Sequence, residues 1–223
     1  MANVVGASRS PLEGLVQPGR HGRSRGEPGV VITEMSNIAL ASVIARKGKV
    51  KFASEAAKHS FGCKLPHTPR RVEGKSIEFL WSGPRQWLAL ARSGYKPSEF
   101  GAALNVIFLD LALIAEQSDG RCILQICGPR ARDVLAKGLS IDLHSRAFHT
   151  DDTAVTVGAL IGVQIWQLDD TPTYEIAVFR SFARSFWRFL SEAAAEYGYD
   201  VAGASTVRPR RHPIAGQGGV AGS

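Results

Sequence analysis

The sequence predicts an α+β fold: a mostly antiparallel sheet, covered by helices and arranged in two similar halves. Three observations carry this expectation. Short apolar and β-branched runs outnumber helical patterns and are joined by tight turns. Ile123 to Leu143 (ILQICGPRARDVLAKGLSIDL) reads without a break as a buried strand, a Gly-Pro turn, an amphipathic helix and an exit loop. The elements follow the order β-β-α-β-β-α and then β-β-α-β-β-β-α, and FLWSGPRQWL around Gly83-Pro84 faintly echoes LQICGPRARDVL around Gly128-Pro129.

Taken in order, Gly29 to Met35 and Ile38 to Ala45 are β-branched, apolar runs expected as strands. Lys49 to Phe61 has Val50, Ala53, Ala57 and Phe61 at helical spacing; Gly62 stops this helix, and Pro66 and Pro69 keep the next loop extended. Ile77 to Trp81 and Trp87 to Ala91 are strands around the Gly83-Pro84 turn, with Trp81 and Trp87 expected as core anchors rather than interface residues. Pro97 to Leu104 is a short helix, its proline in the first turn where a missing N–H costs little. Val106 to Ala115 and Cys122 to Cys127 are expected to pair across the Ser118-Asp119-Gly120 turn. A helix then starts at Pro129 and ends near Gly138. Strands follow at Thr153 to Val157, Gly162 to Leu168 and Thr173 to Phe179. The last helix runs from about Phe182 to Tyr197, with Phe182, Phe186, Trp187, Leu190, Ala194 and Tyr197 as its apolar face.

With 223 residues, 44% hydrophobic and 21% charged, the chain suits one well-buried domain, placed at residues 28–202. Residues 1–27 are expected as an extended basic arm and residues 203–223 as a flexible basic tail. Much of the +7 net charge sits on these ends, at Arg9, Arg20, Arg23, Arg25, Arg208, Arg210 and Arg211, among glycines, prolines and serines. That composition cannot bury enough apolar surface to order itself, so contact with another chain is expected to order it. Basic charge alone would suit nucleic acid, an anionic membrane or an acidic protein. No aromatic platform is interleaved with the basic residues, and the longest apolar run, Val106 to Ala115, is interrupted by Asp110 and too short for a bilayer. Neither nucleic acid nor a membrane is therefore expected as a partner. Cys63, Cys122 and Cys127 have neither disulfide-framework nor zinc spacing, which fits a reducing cytoplasm.

Cys63 with His67, or His144 and His149 with Asp151 or Asp152, supply residue types for a nucleophile and base, or for a metal. They read instead as loop histidines and buried structural cysteines. No phosphate-binding glycine loop precedes a helix, and Gly216-Gln217-Gly218-Gly219 lies in the tail. No catalytic, cofactor-binding or metal residue is assigned. The pointed constellation is on the last helix, where Arg180, Arg184, Arg188, Glu192 and Glu196 recur every four residues. Positive charge at a helix N-terminus opposes the macrodipole. This row is either a solvated face or an arginine surface for carboxylates of another chain, where guanidinium groups pair bidentately. Arg180, Arg184 and Arg188, with Arg9 in the arm, are the candidate interface.

Several short elements recur together: Arg9-Ser10-Pro11-Leu12, Ala45-Arg46-Lys47-Gly48, Phe61-Gly62, Leu65-Pro66, Leu80-Trp81-Ser82-Gly83-Pro84 with Trp87-Leu88, Gly128-Pro129, and Arg180-Ser181-Phe182-Ala183 with Ser185-Phe186-Trp187. In order and spacing over roughly Arg9 to Ala202 they resemble the gamma subunits of heterotetrameric sarcosine oxidase. Through that family they resemble the N-terminal domain of the aminomethyltransferase (T-protein) fold. The resemblance implies a non-catalytic subunit supporting a complex with alpha, beta and delta subunits. That complex would demethylate sarcosine oxidatively to glycine, releasing hydrogen peroxide and formaldehyde or 5,10-methylenetetrahydrofolate. FAD, FMN, NAD and tetrahydrofolate are implied for the partner subunits, and none for this chain. Asp110 matches the Asp-x-Ser-His segment of T-proteins, but Ala112 and Leu113 do not, and Phe179-Arg180-Ser181 replaces their Asn-containing folate turn. Two other readings stay open: the equivalent subunit of a related N-methyl amino acid dehydrogenase or demethylase, and a free-standing folate- or tRNA-binding module.

Overall fold

The computed structural model describes residues 10–205; Arg9, the arginines at 208, 210 and 211, and most of the expected tail lie outside them. Twelve strands and four α-helices follow in the order β1 (Gly19–His21), β2 (Val30–Met35), β3 (Ala39–Ala45), α1 (Val50–Phe61), β4 (Arg71–Glu73), β5 (Glu78–Gly83), β6 (Gln86–Ala91), α2 (Pro97–Phe108), β7 (Ala112–Glu116), β8 (Arg121–Cys127), α3 (Ala131–Ala136), β9 (Thr153–Gly158), β10 (Ile161–Asp169), β11 (Thr173–Phe179), α4 (Ala183–Ala195) and β12 (Tyr199–Ser205). They form a seven-stranded sheet, β1-β12-β2-β8-β11-β10-β9, and a five-stranded sheet, β4-β5-β6-β3-β7. Every neighbouring pair is antiparallel except β12 with β2.

Strand alternation stacks these sheets into four layers. Along β3, Ala39, Ala41, Val43 and Ala45 face a core shared with Ala53, Ala57 and Phe61 of α1 and Phe100, Leu104 and Phe108 of α2. The alternate residue Leu40 joins Leu80, Leu88 and Leu90 in a second core, against Met35, Ile123, Trp166 and Ala177 of the larger sheet. On that sheet's far face, Leu124, Ile126, Ile165 and Ile176 pack beneath α3 and α4. The order is helices, sheet, sheet, helices. Both faces of the central strands are buried, which explains why they read as nearly continuous apolar runs.

The two halves follow one plan. β3-α1-β4-β5-β6-α2-β7 and β8-α3-β9-β10-β11-α4-β12 have the same element order, and their sheets run 4-5-6-3-7 and 9-10-11-8-2-12, with β2 inserted in the second. The Gly-Pro echo nevertheless aligns positions that are not equivalent. Gly83-Pro84 opens the β5–β6 hairpin, where Gly83 faces Gln86 and Arg85 takes a φ of 62°. Gly128-Pro129 lies between β8 and α3, the counterpart of Arg46 to Lys49. There a Cβ on Gly128 would sit 2.7 Å from the Gly29 carbonyl oxygen, so only glycine fits.

Two expectations about the Val106 to Cys127 region need correction. Val106 to Ala115 is not one strand: α2 continues to Phe108, a single 3-10 turn spans Leu109–Leu111, and β7 begins at Ala112. Phe100, Leu104 and Phe108 are fully buried at i+4 spacing, and this outweighs the β propensity of Val106 and Ile107. Nor do the segments around Ser118-Asp119-Gly120 pair. β7 pairs with β3, whereas β8 pairs with β2 and β11, so the turn passes between layers. β1, β4 and β12 were not anticipated.

Residues 10–27, expected as an arm outside the domain, dock on the larger sheet. Leu12 is 1% exposed in the core beneath α4. β1 pairs antiparallel with β12, and His21 stacks on Tyr199 with ring centroids 5.2 Å apart.

Candidate subunit interface

The buried stripe of α4 consists of Ala183, Phe186, Trp187, Leu190, Ala193 and Ala194, which leaves Arg184 and Arg188 exposed on the opposite side. Arg180 precedes α4 in a 3-10 turn (Arg180–Phe182) and is half-buried. Its charge acts on Glu34 and Cys122. Burial pushes the Glu34 carboxyl up, while the Ser10 hydrogen bond and Arg180 oppose that rise. The Ser10 hydroxyl lies 2.6 and 2.7 Å from the two Glu34 oxygens, and the Leu12 N–H donates to the Ser10 oxygen at 2.9 Å. Arg184 donates to the Glu13 carbonyl at 3.3 Å. Arg184 thus ties the Ser10 to Glu13 segment to α4, while Ser10 itself is held by Glu34. At the other end, Glu196 pairs with Lys137 at 2.5 Å, off the row.

Phe182 does not belong to the apolar face of α4, because the 3-10 turn rotates it outward. It is 49% exposed and Phe179 46% exposed. The Arg121 guanidinium lies 4.3 Å from the centre of the Phe179 ring. Exposed aromatic rings beside arginines have the composition of the core of a protein interface. Phe179 alternates with buried Val178 at the end of β11, but only the emergence of that strand from the layer reveals its exposure.

The residues considered for chemistry have other engagements. Burial pushes the Cys63 thiol up, which keeps it protonated, and His67 is exposed on the adjoining loop. Asp151 pairs with Arg71, and Asp152 with both Arg70 and His149. His144 accepts the Arg146 N–H at 3.2 Å. Trp87 is buried, its indole N–H donating to the Pro66 carbonyl at 2.7 Å, while Trp81 is half-buried at a surface groove beside Pro84.

An unanticipated charge network joins the sheets. Glu175, 0% exposed, accepts from Arg92 at 2.6 Å, from the Trp166 indole at 2.9 Å and from Gln125 at 3.2 Å. Glu78 accepts from Arg92 at 2.9 Å and from Arg71 at 2.5 Å; Arg71 also pairs with Glu73 and Asp151. Burial pulls Arg92 down, but Glu175 and Glu78 together hold it above its ordinary value. The available signal was a single carboxylate inside each of two apolar strands, Glu78 in IEFLW and Glu175 in YEIAVF.

Residues 47–196 match the model of the sarcosine oxidase gamma subunit family. The sarcosine oxidase subunit gamma of Arthrobacter sp. is 32% identical over 169 residues, covering 74% of this chain and 80% of that protein. Its namesake from Corynebacterium sp. (strain P-1) is 31% identical over 194 residues, covering 85% and 91%. Among solved structures, a chain of the heterotetrameric sarcosine oxidase from Corynebacterium sp. U-96, in complex with pyrrole 2-carboxylate, superposes with a TM-score of 0.67 at 25% identity, covering 78% of this chain and 87% of that one. The glycine cleavage system aminomethyltransferase T from Bartonella henselae shares the fold alone, with a TM-score of 0.54 at 14% identity over 80% of this chain and 48% of that one.

Proposed function

The chain belongs to the sarcosine oxidase gamma subunit family, and from that premise we propose that it is the non-catalytic gamma subunit of a heterotetrameric sarcosine oxidase in the cytoplasm. The observation that carries this reading is the near full-length match to gamma subunits, which covers 91% of one relative. Its partners are the alpha, beta and delta subunits. The FAD, FMN, NAD and tetrahydrofolate of the complex belong to those partners, as does the demethylation of sarcosine to glycine. This chain contributes a rigid four-layer body. Its carboxylates at Asp151 and Asp152 serve ion pairs, and the Cys63 thiol is held protonated, as suits a structural role.

Arg184 and Arg188, with Phe179 and Phe182, form the docking surface, and Arg180 acts from its border. Native purification of this chain from its own cells tests the function. Co-elution with two large chains and one small chain, together with a flavin absorption spectrum and sarcosine turnover, is the expected result. A colourless protein that elutes alone overturns the reading. Within an assembling complex, the double variant Arg184→Glu, Arg188→Glu is expected to weaken association by about tenfold or more. For Arg188→Glu alone the unfolding free energy should stay within about 0.5 kcal/mol of the parent, since that side chain is exposed, whereas Arg184→Glu also gives up the bond to the Glu13 carbonyl.

A further inference from the structure

The internal duplication exposes a position that only one half fills. In the second half the outer edge of β12, the side away from β8, is taken by β1. The corresponding edge of β7, the side away from β3, ends the five-stranded sheet with no further strand among the described residues.

The register identifies the groups on that edge. The Arg46 N–H donates to the Leu111 carbonyl at 2.9 Å, and the Gln117 N–H to the Leu40 carbonyl at 2.8 Å. Antiparallel pairs alternate between hydrogen-bonded and non-bonded, so Leu113 and Ala115 also turn their backbone groups toward β3. Ala112, Ile114 and Glu116 turn theirs outward.

The side chains beside this edge are apolar and uncovered. Leu113 (53% exposed) lies directly opposite Ile44 (36% exposed) on the face that elsewhere meets the larger sheet. Leu109, 70% exposed, and Val106, 78% exposed, lie in the segment that leads into β7. An open edge with apolar flanks is a template for strand addition. The occupied counterpart shows the kind of segment that fits such an edge: β1, supplied by this chain itself, is short, extended and antiparallel to β12, and its His21 ring covers Tyr199.

We propose that β7 is completed by an extended segment of a partner subunit, which pairs antiparallel with Ala112 to Glu116 and sets an apolar side chain against Leu113 and Ile44. This inference rests on the gamma-subunit reading and specifies one of its contacts.

The test compares amide hydrogen exchange in the isolated full-length chain and in the natively purified complex, and adds two variants. The Ala112, Ile114 and Glu116 amides should exchange at least about tenfold more slowly in the complex, as expected for newly paired strand donors. The double variant Ile44→Lys, Leu113→Lys should weaken association by about tenfold or more. Leu160→Lys, at a position 97% exposed in the β9–β10 turn, should leave association unchanged. Co-purification with partners but unchanged exchange at β7 overturns this contact and leaves the subunit reading intact. Protection already present in a dimer of the isolated chain makes the occupant a second copy and overturns the proposal. A chain that co-purifies with nothing overturns the subunit reading itself.

Discussion

In the seven-stranded half, the closing strand β12 lies between β2 and β1; in the five-stranded half, the closing strand β7 has β3 alone among the described residues. The two halves otherwise share element order and helix cover. What separates them is the chain from Ser10 to Met35, which supplies both additional strands and is fastened by Ser10 on Glu34 and Arg184 on Glu13. One half is completed by the protein's own N-terminal segment, and the other leaves the same kind of edge unpaired among the described residues. For a subunit, that asymmetry separates the edge used for folding from the edge left for assembly. It also gives the arginine row a role that spacing alone does not suggest: Arg184 helps secure the segment that makes the halves unequal.

The largest effect is expected where the halves meet. Arg71, Glu78 and Arg92 come from the first half, and Glu175, Trp166 and Gln125 from the second. Glu175→Ala strips Arg92 and the Trp166 N–H of a buried acceptor, and breaking a buried pair from one side costs about 3–5 kcal/mol. Urea denaturation should give one transition at a much lower midpoint. A loss under about 1 kcal/mol would mean that the apolar layer around Leu80, Leu88 and Trp166 joins the halves by itself. Two separate transitions would mean that the halves unfold independently once the network is cut.

The next contrast sets the closed edge against the open one. Leu12→Ala empties a fully buried site under α4 and should cost about 3 kcal/mol, within the range for buried leucine truncations. Leu113→Ala, at a half-exposed site on β7, should cost about 0.5 kcal/mol or less in the isolated chain. Equal losses would remove the distinction between an edge that stabilises the fold and one that awaits a partner.

The sequence is legible where local pattern decides structure. β2, β3, β8, β10 and β11 are bounded by turns, and α1 and α4 carry clear apolar stripes. Illegible was whatever the layers decide. Nothing local tells β7 and β8 that a four-residue connection will place them in different sheets rather than in one hairpin. The residues from Val106 to Leu111 are apolar enough for a strand, and only the spacing of Phe100, Leu104 and Phe108 marks them as the end of a helix and a turn. Two similar halves were expected from element order, and that holds, but the Gly-Pro echo pairs a hairpin with a strand–helix junction. The arginine row was visible by spacing, whereas its attachment to Ser10 to Glu13 depends on how an N-terminal segment folds back. Polar, glycine-rich composition in residues 10–27 concealed Leu12, a single anchor that reaches the core.

A further contrast separates the halves by pH. In the second half the Cys122 thiol is pushed up to about 12 from 9.0, chiefly by burial and further by the Glu34 charge, with Arg180 opposing. In the first half Cys63 is raised by burial alone. Below the unfolded value both states keep the proton, so the full stabilisation is present. Between about 9 and about 12 the unfolded chain releases it while folded Cys122 does not, and stability falls as pH rises. Urea midpoints from about pH 8 to about pH 11 should therefore decline in the parent chain and decline less steeply in Cys122→Ala. Cys63→Ala should flatten the slope by a smaller amount. If the two variants flatten it equally, burial and the Glu34 charge together do not raise Cys122 above Cys63, and the two halves do not differ in this respect.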